Sequence, residues 1–291
     1  MSLLALAAAH APVLHRSPAT LFAVALYCLL LVIGLLTAIG LVFHFHRKQV
    51  NWSEHARVLA SRPWRFGDAF GMFALFLALQ VGTGLVVLLL RKFSHVTPAE
   101  STQLMVHTLL LDWLGLALVV ALLAWRHEHW QNAFGTSWRS LGRAALLGGL
   151  FILATLPFFL FYHLASDLGL RWFGVEISIQ DVAVVITDDQ PLPMRIYLLG
   201  MAAMVAPLFE EIVFRGILLP VCAKRVGTGL AIILVSLLFA LCHRHLPSTV
   251  PLFILAVAMS LAYLYTGNLL VPVFMHGFFN AFNLALLTAL R

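Results

Sequence analysis

Glu210, Glu211 and Arg215 place two adjacent carboxylates and a guanidinium inside "LFEEIVFRG", a stretch flanked by "IYLLGMAAMVAP" and "ILLPVC". An ionised side chain at mid-bilayer is expensive, less whatever snorkelling and pairing recover. Three of them on one apolar helix therefore need a chemical reason. Glu211 and Arg215 are spaced i,i+4 with the acid on the N-terminal side, the order that suits an ion pair on one helix face. Such a pair could simply close a helix bundle. Glu210, rotated about 100° from its neighbour, cannot share that pairing equally. One carboxylate is left over for acid–base work.

Further polar residues follow on the next apolar runs. "SLLFALCHRH" puts Phe239 and His243 one turn apart, with His243 closing the run. A lone histidine at a helix end is commonly interfacial. "HGFFNAFN" puts His276, Asn280 and Asn283 at i, i+4 and i+7, one stripe of a helix. Helix-to-helix hydrogen bonding would explain that stripe alone. Together, two Glu, one Arg, two His and two Asn in the last third of the chain fit hydrolysis. A carboxylate activates water, histidines assist proton transfer, and His or Asn donors meet a developing oxyanion.

The elements that must position these residues are membrane helices. The 291 residues are 62% hydrophobic and 10% charged, against about 25% charged in soluble domains. Long apolar runs without strict alternation point to helices rather than a barrel. The expected fold is an all-α polytopic bundle of about eight transmembrane helices. The runs are Leu21–Phe43, Phe66–Leu90, Leu104–Trp125, Ala144–Ala165, Ile196–Val221, Leu230–His243, Val250–Tyr265 and Leu269–Leu290. The sixth is short. Residues 1–190 read as N-terminal transmembrane helices with an outer acidic loop, and residues 191–291 as the helix core that carries the site.

The charge of +6 is spread through short connections, which suits anionic headgroups and a positive-inside bias rather than nucleic acid. Arg47, Lys48, Arg57, Arg62 and Arg65, then Arg126, Arg139 and Arg143, then Lys224 and Arg225 mark alternate connections as cytoplasmic. The N-terminus then faces out. His10, Pro12, His15 and Arg16 interrupt the apolar start, which disfavours a cleaved signal peptide. Cys28, Cys222 and Cys242 offer neither a disulfide framework nor a thiolate zinc site. Asp112, in "LLLDWLG", has no cation near it in sequence. Arg195 or a histidine is its candidate partner, in a structural role.

"EEIVFR" fits EExxxR, "FALCH" fits FxxxH and "HGFFN" fits HxxxN. Three such motifs in this order on successive membrane helices resemble the CPBP family, the type II CAAX-prenyl-protease and bacteriocin-processing intramembrane proteases. The resemblance covers about Met194 to Asn283, and no departure from the motifs is visible. It implies an intramembrane glutamic endopeptidase acting on membrane-associated peptides or proteins, prenylated or not. Glu210 would be the base that polarises water, His243 its assistant, and His276 and Asn280 the holders of the oxyanion. Glu211, Arg215 and Phe239 would support them. No cofactor is implied. Apart from the resemblance, the compact loops would suit a bacterial inner membrane.

Two other readings use the same residues. A zinc-dependent membrane hydrolase would use Glu and His as ligands, although HExxH is absent. A non-catalytic scaffold or immunity protein could keep the fold without the chemistry. Helix rises place Glu210, His243 and His276 near one depth. A water-filled cavity opening to the cytoplasmic side is therefore expected.

Overall fold

The computed structural model describes residues 18–94, 99–136, 138–175, 177, 180–187 and 190–289, with no strand among the described residues. His10, Pro12, His15 and Arg16, and the loop acids Glu176, Asp188 and Asp189, lie outside the described residues, as do the side chains of Asp181 and Trp138. The helices are α1 (Pro18–Arg47), α2 (Trp52–Ala60), α3 (Phe66–Ser94), α4 (Glu100–Trp125), α5 (Trp130–Phe134), α6 (Leu141–Trp172), α7 (Asp181–Thr187), α8 (Leu192–Val226), α9 (Thr228–Cys242), α10 (Leu246–Thr266) and α11 (Leu270–Ala289). The chain is a polytopic all-α membrane protein.

Among the described residues seven helices are long and apolar enough to cross a membrane: α1, α3, α4, α6, α8, α10 and α11. The expected sixth span, α9, is apolar but has 15 residues. It rises about 22 Å against a hydrocarbon core of about 30 Å. The eight expected spans are therefore seven, with one short helix among them.

Composition decides which helices face lipid. α1 is apolar on every side and leaves Val32, Leu36 and Val42 exposed, as a helix in hydrocarbon can. α8 is the opposite case. Every residue from Glu211 to Val221 is buried, so the costly charges of this helix meet protein instead of lipid. Around it, α6 packs against α1, α10 and α11, and α9 packs against α10. The larger of two apolar clusters among the described residues has members from Leu59 to Phe279, and the smaller joins Ile186, Leu198 and Leu284.

The basic connections meet at one end, where polar side chains satisfy turn carbonyls. Arg62 donates from Nη2 to the Gly267 carbonyl at 2.6 Å and from Nη1 to that of Asn132 at 3.1 Å. Lys224 Nζ donates to the carbonyls of Arg62 at 2.5 Å and Trp64 at 2.9 Å. Arg126 pairs with Asp68. Asn51 accepts from the Glu54 amide at 3.3 Å and caps α2, a role in keeping with its residue type. The other end holds the connections after α3, α6 and α9.

This arrangement predicts labelling from opposite faces. In a background lacking Cys28, Cys222 and Cys242, single cysteines replacing Arg225 and Arg244 should react with impermeant thiol reagents from opposite sides of sealed vesicles. Reaction of both from one side would contradict the fold.

Candidate active site

The backbone of α8 is irregular where the chemistry sits. Pro207 lacks an N–H, and its ring pushes aside the carbonyl of residue i−4, Ala203. The helix widens into a π turn over Met201–Val205. A second π turn, Ile212–Leu218, begins immediately after Glu211 and leads to Pro220. Such turns concentrate at functional sites. α11 closes on the first one: Asn280 Nδ2 donates to the Ala202 carbonyl at 2.9 Å. A Cβ on Gly277 would lie 2.5 Å from the Ala203 oxygen, so only glycine lets the two helices approach this closely.

The i,i+4 spacing of Glu211 and Arg215 forms its ion pair. Arg215 Nη1 donates to Glu211 Oε1 at 2.7 Å, with both side chains wholly buried. Nη2 donates to the Ala256 carbonyl of α10 at 3.2 Å. The guanidinium carbon lies 4.4 Å from the Phe239 ring centre of α9, inside cation–π range. His276 Nδ1 of α11 donates to the same Glu211 oxygen at 3.1 Å. One carboxylate and one guanidinium thus bind α8, α9, α10 and α11 together.

Glu210 turns the other way, as the 100° offset requires. Its side chain is 25% exposed, and Oε2 lies 3.9 Å from His276 Nε2. That oxygen is buried and accepts no hydrogen bond among the described residues. His243 caps α9, with Nδ1 2.9 Å from the Phe239 carbonyl. A carbonyl only accepts, so Nδ1 carries the hydrogen and, in the neutral ring, Nε2 is the free base. Phe239 also contacts both histidines, its ring centre 4.7 Å from that of His243 in a tilted arrangement and 5.7 Å from that of His276 edge to face.

Glu210, His243, His276, Asn280 and Asn283 line one cavity of about 1220 Å³. Glu211, Arg215 and Phe239 stand behind its wall. The lining takes Gln180, Arg244 and His245 from the connections after α6 and α9, and nothing from the basic connections. The cavity therefore opens at the end opposite the basic one, which corrects the expected opening. Helix rises give depth, but they do not say which end the packed helices leave open.

Two further lining residues escape a reading of the sequence. His107 carries no motif there, and Asp112 reads as structural, yet both line the cavity. Asp112 is 3% exposed and makes no ion pair with Arg195 among the described residues. Thr83 donates its hydroxyl to the Gln80 carbonyl at 2.8 Å, so its oxygen accepts from His107 Nδ1 at 3.1 Å. The pair is hidden because a spacing of five residues reads as two faces of an α-helix. Among the described residues no three His, Cys, Asp or Glu side chains are grouped to hold a metal ion.

Residues 192–282, the stretch that carries all three motifs, match the family model of the type II CAAX prenyl endopeptidase Rce1-like proteins. This segment belongs to that family. The chain is also similar to an uncharacterised 24.3 kDa protein of Escherichia coli, 36% identical over 93 residues. Those residues make up 30% of this chain and 43% of the relative, so the chain spans less than half the length of the curated protein it matches. No solved structure matches the chain.

Within the Rce1-like segment, the contact of Gly277 with Ala203 is the tightest requirement on site geometry. Gly277→Ala should cost about 1–3 kcal/mol through overpacking. Its thermal unfolding midpoint in detergent should fall below that of the wild type. An unchanged midpoint would mean that α11 does not press on the π turn.

Proposed function

We propose that this protein is an intramembrane endopeptidase in which Glu210 activates a water molecule against a peptide bond. The substrate is a membrane-associated peptide or protein, with prenylated chains among the candidates, and the setting is a bacterial inner membrane. The observation that carries the reading is the contrast between neighbouring acids. Glu211 is fully buried away from the cavity, with Oε1 held by Arg215 and His276, whereas Glu210 is 25% exposed and faces the cavity with no cation paired to it among the described residues but the His276 ring. The membership of residues 192–282 in a prenyl endopeptidase family supports it.

In this mechanism Glu210 takes a proton from water as the water oxygen attacks the carbonyl carbon. His243, with Nδ1–H held on the Phe239 carbonyl, offers Nε2 as a second base in the same cavity. His276 Nδ1–H is committed to Glu211, so a contact from Nε2 to an oxyanion requires the doubly protonated ring. Asn280 has given one N–H to the Ala202 carbonyl and keeps the other for the carbonyl oxygen of the substrate. Both donors matter most where charge develops, in the transition state. The apolar part of the lining suits a lipid-modified or apolar peptide.

Glu210→Gln keeps shape and polarity but removes the base. The purified variant should insert and unfold like the wild type, yet cleave fluorogenic peptides about 10²–10⁴-fold more slowly. A panel of prenylated and unmodified peptides in detergent measures this directly. Wild-type turnover by Glu210→Gln would remove that residue from the mechanism.

A further inference from the structure

The third span, outside the Rce1-like segment, brings a second carboxyl to the cavity. Asp112 lies in a π turn, Leu109–Trp113, within α4. In a regular α-helix, residues five apart point about 140° apart. The extra residue taken up by a π turn brings His107 and Asp112 back toward one face, and both line the cavity that Glu210 lines. Asp112 is 3% exposed, and no hydrogen bond or ion pair to it forms among the described residues.

Packing fixes where this carboxyl sits. Gly115, one turn further on, has no room for a side chain, because a Cβ there would overlap the Phe209 ring. Phe209 immediately precedes Glu210. α4 is thus pressed against α8 at the residue beside the base, and Asp112 and Glu210 line the same cavity. From α3 the cavity receives only uncharged side chains, Gln80 among them. The groups of these three helices that can answer Asp112 electrostatically are His107 and Glu210.

We infer that Asp112 is a further catalytic residue, the acid that gives its proton to the leaving nitrogen. The inference rests on the proposed peptidase function and adds a partner to Glu210. As the water oxygen bonds to the acyl carbon, the water proton passes to Glu210. As the C–N bond breaks, the Asp112 carboxyl proton passes to the departing nitrogen. Return of a proton from Glu210 to Asp112 resets the pair, so one water is consumed and no other reactant is needed. Two carboxyls in one cavity, with Arg215 already committed to Glu211, are suited to carry one charge between them. The arrangement also gives the helices outside the Rce1-like segment a part in the chemistry.

The test compares wild type, Glu210→Gln, Asp112→Asn and Asp112→Glu in detergent, with kcat, KM and the pH profile of kcat/KM measured on one cleavable peptide. Asp112→Asn should lower kcat about 10²–10³-fold with KM little changed. It should also lose the limb on which wild-type activity falls as pH rises, because the acid must hold its proton to work. Asp112→Glu should recover part of the rate, and it reads the same role if the asparagine variant does not fold. An active wild type, an inactive Glu210→Gln and an Asp112→Asn with unchanged kcat and pH profile would overturn this inference alone. A wild type that cleaves none of the peptides would overturn the peptidase reading and this inference with it.

Discussion

A guanidinium with no exposure to solvent must find its partners within the protein, and Arg215 is so placed. Its charge meets Glu211, one Nη meets the Ala256 carbonyl, and its face meets the Phe239 ring. Breaking a buried pair by removing one partner costs about 3–5 kcal/mol, because the survivor stays buried and unpaired. The three helices that supply these contacts, and α11 through His276 on Glu211, cannot drift apart without exposing a charge to hydrocarbon. That constraint accounts for the burial of α8 from Glu211 to Val221. It also places Glu210, one residue earlier and rotated away, at a cavity wall rather than in the core.

Backbone irregularity supplies the second half of the design. Regular helices satisfy their own carbonyls and offer side chains only at spacings of three and four. The π turns at Met201–Val205, Ile212–Leu218 and Leu109–Trp113 break that rule beside the cavity. Where Pro207 loosens the ladder, Asn280 of α11 donates to the Ala202 carbonyl and Gly277 leaves room for that of Ala203. Asn280 is therefore structural and cavity-facing at once, so its loss reaches helix packing as well as any substrate contact. The tight packing of Gly115 against Phe209 brings a helix outside the Rce1-like segment to the same cavity.

Much of this is legible in the sequence because α-helical spacing carries it. Glu211 and Arg215 at i,i+4 announce their pair, and the His276, Asn280 and Asn283 stripe announces a cavity-facing edge. The position of Glu210 follows from a single 100° step. Three features are hidden for physical reasons. His107 and Asp112 share a face only because a π turn intervenes. The length of α9 falls short of a span because its apolar run ends early at His243. The open end of the cavity depends on how α4, α6 and α9 pack, and no residue spacing reports that.

The most direct measurement of the central constraint is a double-mutant cycle on the buried pair, read by reversible unfolding in detergent. Glu211→Gln and Arg215→Met should each destabilise the protein by about 3–5 kcal/mol. The expected result for the double variant is a loss smaller than the sum of the two by more than about 1 kcal/mol, since neither charge is then left alone. Losses that add to within about 0.5 kcal/mol would show that the two residues do not depend on each other, and would contradict the claim that this pair holds the four helices together.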